Sequence, residues 1–422
     1  MPELRNIHAY ISVSIAYCTF MLTDGALRMV LLLHFHTLAF TPVQLAYLFL
    51  LYEFAGMVSN LYAGWIGTKF GTARTLFLGM ILQVVALLIL AQLNPNWSVV
   101  LSVGFIMVLQ GMSGVAKDLT KNSSKSTIKF ITTNNQEGLF KWTARLTGSK
   151  NAVKGIGYLL GAFLLGIVGF QTALLLMAAV LAITTLGVII FTIPDLPTGD
   201  VKTKLREVFS KSRNIKRLSL ARLFLFGARD VWFVVGVPIY FFEVLSDGTI
   251  EGDQIACLIV GLFTGFWIVG YGVIQSISPH FFKYERLPIL ALISHTKKYV
   301  LYLFIVLFIL GNLVYFTNMP SSWLTLSLTL GLIIFGIVFA INSAIHSYLI
   351  LAFSDSSRVS LDVGFYYMAN ASGRLLGTFL SGLSFQLGGI TLCLFTAGLM
   401  ALISWVVTLW LSPSGLDIDN RI

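Results

Sequence analysis

The segment Gly157-Tyr-Leu-Leu-Gly161-Ala-Phe-Leu-Leu-Gly166 returns 216 residues later as Gly373-Arg-Leu-Leu-Gly377-Thr-Phe-Leu-Ser-Gly382, with seven of ten positions identical. Both copies carry glycines four residues apart, the spacing that lets two membrane helices approach closely. A packing segment that recurs after half of a 422-residue chain reads as two related halves. The competing explanation is chance similarity between leucine- and glycine-rich helices. What surrounds the repeat decides between the two.

Of the residues, 57% are hydrophobic and only 11% charged, and the mean hydropathy is +0.86. Soluble domains carry about 25% charged residues, so a soluble globular protein is excluded. A net charge of +10 would suggest a nucleic-acid partner in a soluble chain. Here long apolar runs separate the charges, and no nucleic-acid partner is expected. Cys18, Cys257 and Cys393 match no zinc, CxxC or disulfide spacing, so no metal, cofactor or disulfide is expected. Met1 to His8 carries Glu3 and Arg5 with no cleavage site behind it, so the first apolar stretch reads as a retained span.

A membrane helix needs about 20 mostly apolar residues. Apolar runs between polar breaks predict twelve, near 8–33, 43–66, 75–93, 97–116, 146–169, 172–193, 217–243, 254–277, 299–316, 322–352, 361–385 and 390–411. The stretch 287–298 falls between categories. One alternating set of connections holds 21 Lys and Arg residues, and the other set holds none. The positive-inside rule therefore predicts a multi-pass protein with both termini cytoplasmic, and the cell inner membrane is its expected location. Residues 194–216 are polar and basic, and they divide a half at 1–193 from a half at 217–422. The expected fold is all-α, with twelve transmembrane helices in two pseudo-symmetric six-helix halves. This resembles the major facilitator superfamily, whose substrates sit near the midplane between halves. Gly64-Trp-Ile-Gly-Thr68-Lys69-Phe-Gly71-Thr-Ala-Arg74 is similar to that superfamily's cytoplasmic loop motif, with Thr68 where an Asp is usual.

Seven basic residues (Arg28, Arg145, Lys150, Lys154, Arg222, Arg229 and Arg374) fall inside spans, as do Asp24, Glu53 and Asp230. Facing lipid, each would cost about 2.5–3.5 kcal/mol, and ten together about 30 kcal/mol, well beyond the ~5–15 kcal/mol net stability of a protein. Most must line an interior or wet cavity, or snorkel to the interface, as Arg145 and Arg222 could. Asp24 and Arg28 are four apart, acid first, so they can pair, with or without a role toward substrate. Asp24 and Asp230 occupy comparable depth in the first and seventh spans. Arg229 and Asp230 are adjacent and point about 100° apart, which suggests one salt bridge and one free contact. Lys150 and Lys154 share a face and repel unless an anion or acid lies between them. Arg374 has no acid within a turn. Pairing all three acids leaves about four cations without a protein partner, and a buried unpaired cation is expensive. The missing partner is then a small, multiply charged anion, which Arg binds bidentately when it is phosphate-like and Lys binds as a point charge.

Candidate substrate-binding residues are therefore Arg28, Lys150, Lys154, Arg229 and Arg374, with Asp24, Glu53 and Asp230 balancing or resetting the charge. Glu53, without a local partner, is a candidate for proton coupling or for pairing one of the arginines. Lys117, Lys121, Lys125 and Lys129 recur every four residues and form one helical stripe. The stripe could act as a cytoplasmic basic funnel or as a positive-inside anchor against lipid phosphates. No span offers a metal cluster or a nucleophile–base pair, so an enzyme is not expected. A transporter-like sensor that binds without moving its anion stays open.

Four strings are long and specific: Leu22-Thr-Asp-Gly-Ala-Leu-Arg28-Met, Gly114-Val-Ala-Lys117-Asp-Leu-Thr-Lys121, Leu146-Thr-Gly-Ser-Lys150-Asn-Ala-Val-Lys154-Gly and Arg222-Leu-Phe-Leu-Phe-Gly-Ala-Arg229-Asp230-Val-Trp-Phe. With Trp267-Ile-Val-Gly-Tyr271-Gly, they resemble the ArsJ organoarsenical efflux permeases as far as about Pro279. The resemblance implies export of 1-arseno-3-phosphoglycerate, which carries phosphate and arsenate on a three-carbon body, and hence arsenate resistance. It also implies a functional link to glyceraldehyde-3-phosphate dehydrogenase, which makes that ester. The partners expected are this anion and the lipid bilayer, with the protein a monomer. The nearest alternative is an organophosphate:phosphate antiporter, a class that also uses arginines on the first and seventh spans.

Overall fold

The computed structural model describes the backbone of residues 2–70, 72–131, 136–191, 212–282, 287–317, 321–354 and 359–412. Side chains at 2–10, 61, 63–73, 122, 125–149, 191, 279–282 and 359–361 lie outside the description. So do most of the basic linker at 194–216, the side chains of the loop motif up to residue 73, and those of Lys125, Lys129 and Arg145.

All regular structure among the described residues is helical. The helices are α1 (Pro2–Thr37), α2 (Pro42–Phe70), α3 (Thr72–Leu90), α4 (Val99–Ile131), α5 (Gln136–Phe191), α6 (Arg213–Val231), α7 (Val237–Leu245), α8 (Ile250–Phe282), α9 (Ile289–Thr317), α10 (Ser322–Phe353) and α11 (Val359–Leu409). Nine described stretches are long and apolar enough to cross a membrane, and Arg74–Leu90 is a shorter apolar helix. Two of the nine are folded back on a glycine. Helix α5 is interrupted at Gly169 (φ 76°), and α11 at Gly388 and Gly389 (φ 59° at the latter). Positive φ is open to glycine at little cost, so each long helical run turns there. Of the stretch 287–298, residues from Ile289 on are the start of α9.

Side chains that face outward are apolar, with Val100 83% and Ile190 73% exposed, as expected where the solvent is lipid. Helices α6 and α7 are one rod joined by a π-helical segment, Trp232–Gly236. Pro238 explains it: proline has no N–H for the bond back to residue 234, and its ring crowds that carbonyl. The N–H groups of Val235 and Gly236 donate to Ser381 Oγ of α11, at 3.1 and 3.2 Å.

The repeated glycines are contact points. A Cβ at Gly157 would overlap the carbonyl oxygen of Leu22, and one at Gly161 that of Ala26, both on α1. At Gly373 and Gly377 it would meet the carbonyls of Leu223 and Gly227 on α6. The pairs α1–α5 and α6–α11 are the most extensively packed in the molecule. These two seams hold the charged residues of α1, α5, α6 and α11 over one central space.

Candidate functional site

Between α1, α2, α4 and α5 on one wall and α6, α8, α10 and α11 on the other lies a cavity of about 180 Å³. Among the described residues, eight basic side chains line it (Arg28, Lys117, Lys121, Lys150, Lys154, Arg222, Arg229, Arg374), against three carboxylates (Glu53, Asp118, Asp230). Every residue expected to bind substrate is on its wall. Asp24 stands just behind, bonded to Lys154.

The pairings differ from those expected of neighbours in sequence. Asp24 does not pair with Arg28. It accepts from Lys154 Nζ at 2.6 Å and from Tyr52 Oη at 2.6 Å. The glycine seam explains this, because it brings α5 close enough for Lys154 to win the carboxylate. Lys154 therefore has an acid, which answers the repulsion expected from Lys150. Arg28 turns instead to α2, where its Nη2 donates to Glu53 Oε1 at 2.8 Å. Glu53 is thus a partner of arginines, and of two: Arg374 Nη2 donates to the same oxygen at 2.5 Å. Its other oxygen, Oε2, is buried without a hydrogen-bond partner among the described residues. Arg229 and Asp230, expected to diverge, bond each other, since the arginine curls back so that Nε donates to Asp230 Oδ1 at 2.6 Å. Asp230 Oδ2 accepts from Arg374 Nε at 3.3 Å. Arg374, without an acid within a turn on its own helix, takes one from α2 and one from α6.

Aromatic faces supply what carboxylates do not. Lys117 Nζ sits 4.2 Å from the Tyr52 ring centre, Arg28 lies over Phe49 and Tyr52, and Arg229 over Phe226 and Phe339. Cation–π contacts of this kind are worth about 2 kcal/mol or more when desolvated.

Lys117 and Lys121 belong to the cavity wall rather than to a stripe outside the membrane. Helix α4 continues to Ile131, about 50 Å from its start at Val99, whereas the lysines alone suggested a span ending near 116. Lys117 is buried. Lys121 Nζ donates to Asp118 Oδ1 (3.0 Å) and to Asn60 Oδ1 (2.5 Å). Asp118 is fully buried and also accepts from Ser59 Oγ at 2.5 Å. Sequence reasoning missed Asp118, although its position between Lys117 and Lys121 within a helix was the available signal. It also missed the uncharged wall of Asn60, Asn151, Tyr271, Gln275 and Asn370. Arg222 is buried, not snorkelling. Among the described residues, no group of three or more Cys, His, Asp and Glu could hold a metal.

Toward the opposite ends of the same helices the space closes. His36 packs edge-on to Phe242 of α7, Tyr47 of α2 stacks on Phe379 of α11, and the Val43 amide donates to Gln386 Oε1.

A sequence profile described as the Major Facilitator Superfamily matches residues 12–296. Among solved structures, the nucleoside transporter NupG superposes with a TM-score of 0.67 at 16% identity, covering 96% of this chain and 98% of that one. A bacterial homologue of the human drug peptide transporters PepT1 and PepT2 superposes equally well, again with a TM-score of 0.67 and 16% identity, over 96% of this chain and 97% of the other. No curated protein gives a significant sequence match. The chain belongs to the Major Facilitator Superfamily, and it is a multi-pass membrane transporter of a solute.

Proposed function

We propose that this member of the superfamily exports a small organic anion with phosphate- or arsenate-type groups. The single observation that carries this reading is the cavity itself, where, among the described residues, eight basic side chains meet three carboxylates within the bundle. Buried cations in excess of acids are stabilised by an anionic ligand, and arginine favours tetrahedral oxyanions. The resemblance to ArsJ permeases sharpens the substrate to 1-arseno-3-phosphoglycerate, with arsenate resistance as the physiological result.

The transport cycle we infer is a rocking of two halves, 1–193 and 217–422, joined by the linker 194–216. Counting the helical segments on either side of Gly169 and of Gly388–Gly389 as separate crossings supports twelve spans. The matching glycine seams support the two halves. Aligned on these seams, Leu22 and Ala26 correspond to Leu223 and Gly227, which puts Arg28 in register with Arg229. With both termini cytoplasmic in the inner membrane, the cavity lies toward the cytoplasm, the loading side for an exporter. Arg28, Arg229, Arg374, Lys150 and Lys154 bind the substrate. Asp24, Glu53 and Asp230 exchange it for protein carboxylates or a proton on release.

Transport of the arsenoester into inverted vesicles, with and without a proton gradient, tests direction and coupling together. Arg229→Ala and Lys150→Ala are expected to abolish arsenate resistance while the protein stays in the membrane; wild-type resistance in both refutes the reading. The organophosphate:phosphate antiporter is the second reading, and the register of Arg28 with Arg229 favours it to the same degree. Glycerol phosphate uptake into right-side-out vesicles, exchanged for internal phosphate, would select it.

A further inference from the structure

Not all the cavity's cations are in the same electrostatic condition. Arg28, Arg229 and Arg374 share Glu53 and Asp230, so their cluster is three charges against two. Arg222 stands apart. The residue is 4% exposed, yet among the described residues it makes no ion pair. Its Nε donates to Asn370 Oδ1 at 3.0 Å, and its Nη1 to Ser343 Oγ at 3.0 Å and to the Ser343 carbonyl at 3.3 Å. All of these acceptors are neutral. One face of the group lies 3.9 Å from the Phe226 ring centre.

The neighbours are held in turn. Ser343 Oγ accepts from Gln275 Nε2 (3.1 Å) and lies 3.3 Å from Tyr271 Oη, and Gln275 Oε1 accepts from Asn151 Nδ2 (3.1 Å). A chain of uncharged groups thus runs from α5 through α8 and α10 to α6 and α11. It orients Arg222 without neutralising it, and Arg222, Asn370 and Gln275 all line the cavity. A buried, oriented and unneutralised guanidinium is the condition in which a charge-assisted hydrogen bond to an anion counts most. Arg222 also lies two turns of α6 from Arg229 and so about 10 Å away along the axis, the separation that suits two ends of one short molecule.

We infer that Arg222, positioned by Asn370 and Ser343, forms a second anion subsite that takes the distal oxyanion of a substrate carrying two anionic groups. The Arg28–Arg229–Arg374 cluster takes the other. Arg222 would then set selectivity for two-headed over one-headed anions. This rests on the anionic-substrate reading above, and the test separates the two.

The purified full chain is titrated with 3-phosphoglycerate, which has a phosphate and a carboxylate, and with glycerol 3-phosphate, which has only the phosphate. The wild type is expected to prefer the two-headed probe. Arg222→Gln is expected to lower that preference about tenfold to a hundredfold, the weight of a hydrogen bond to a charged group. An unchanged preference in the variant, or an equal loss for both probes, overturns the subsite. Binding of neither probe by the wild type overturns the anionic reading, and the subsite with it. If Arg222→Gln does not fold, Asn370→Ala and Ser343→Ala keep the charge and release its orientation: a fall in the preference supports the subsite, and no fall overturns it.

Discussion

The seams α1–α5 and α6–α11 use the same backbone device and different electrostatics. In each, two glycines four apart let one helix lie on the carbonyls of another. In the first seam the charge is settled locally: Asp24 accepts from Lys154 across the seam and from Tyr52. In the second, Asp230 holds Arg229 and Arg374, and Arg374 reaches past it to Glu53 on α2. Arg28, from the first seam, reaches the same glutamate oxygen. Packing is therefore repeated while charge is not, and the two seams meet electrically at Glu53 Oε1. A contact that ties both seams together in one conformation must be exchanged if they move apart in another.

Breaking that joint should have the largest effect. Glu53→Gln leaves Arg28 and Arg374 sharing a neutral acceptor. Losing one partner of a buried ion pair costs about 3–5 kcal/mol, and transport should fall below detection in a vesicle assay. Wild-type transport by Glu53→Gln would mean that the two seams move independently of this residue.

The first seam should behave differently, because its pair is local. Lys154→Met alone strands Asp24 and should cost about 3–5 kcal/mol in thermal unfolding, while Asp24→Leu with Lys154→Met should recover most of it. The matching double change in the second seam, Asp230→Leu with Arg374→Met, should not recover stability, since Arg229 then loses its acid and Glu53 one of its two arginines. Equal recovery in both would erase the distinction drawn between the seams.

Much of this organisation was legible in the sequence. The apolar runs, the repeat and the set of charges inside the spans all follow from local composition. The pairings were not legible, and the reason is distance along the chain. Arg374 and Glu53 are 321 residues apart and Lys154 and Asp24 130 apart, whereas helical spacing rules see only three or four. Those rules selected Asp24–Arg28, and tertiary proximity across a glycine seam overrode them. Lys117 and Lys121 misled for a different reason. Hydropathy ends the span at its first lysine, but a helix does not end where charge begins, and α4 carries both into the cavity beside Asp118. Arg222 looked interfacial because its partners, Asn370 and Ser343, are uncharged and lie on other helices.

The seams also make a claim about space. Gly157→Leu and Gly373→Leu each drive a side chain into backbone, which cannot yield as a side-chain tip can. Overpacking costs about 1–3 kcal/mol, and the loss should appear as a lowered melting temperature of similar size in the two variants. Gly187→Leu, where a Cβ meets nothing within 4 Å, is the matched control. If only one seam is sensitive, the packing equivalence fails even though the sequences repeat.

The smallest expected effect lies where the second seam departs from the first in backbone. Leu165 of α5 stands at the repeat position of Ser381 on α11. The difference has a cause: α1 is helical throughout from Pro2 to Thr37, whereas the rod α6–α7 passes through a π segment ahead of Pro238. That segment turns the N–H groups of Val235 and Gly236 toward α11, where one hydroxyl oxygen accepts both. A leucine there could not accept from either amide. Ser381→Ala removes the acceptor with little change of volume, and since two donors share one oxygen at 3.1 and 3.2 Å, the loss should be of order 1 kcal/mol. Amide exchange at Val235 and Gly236 should accelerate in the variant, while exchange along α1 stays as it was. If exchange at those two amides does not change, the π segment is held by the proline alone, and Ser381 has no part in setting the second seam apart.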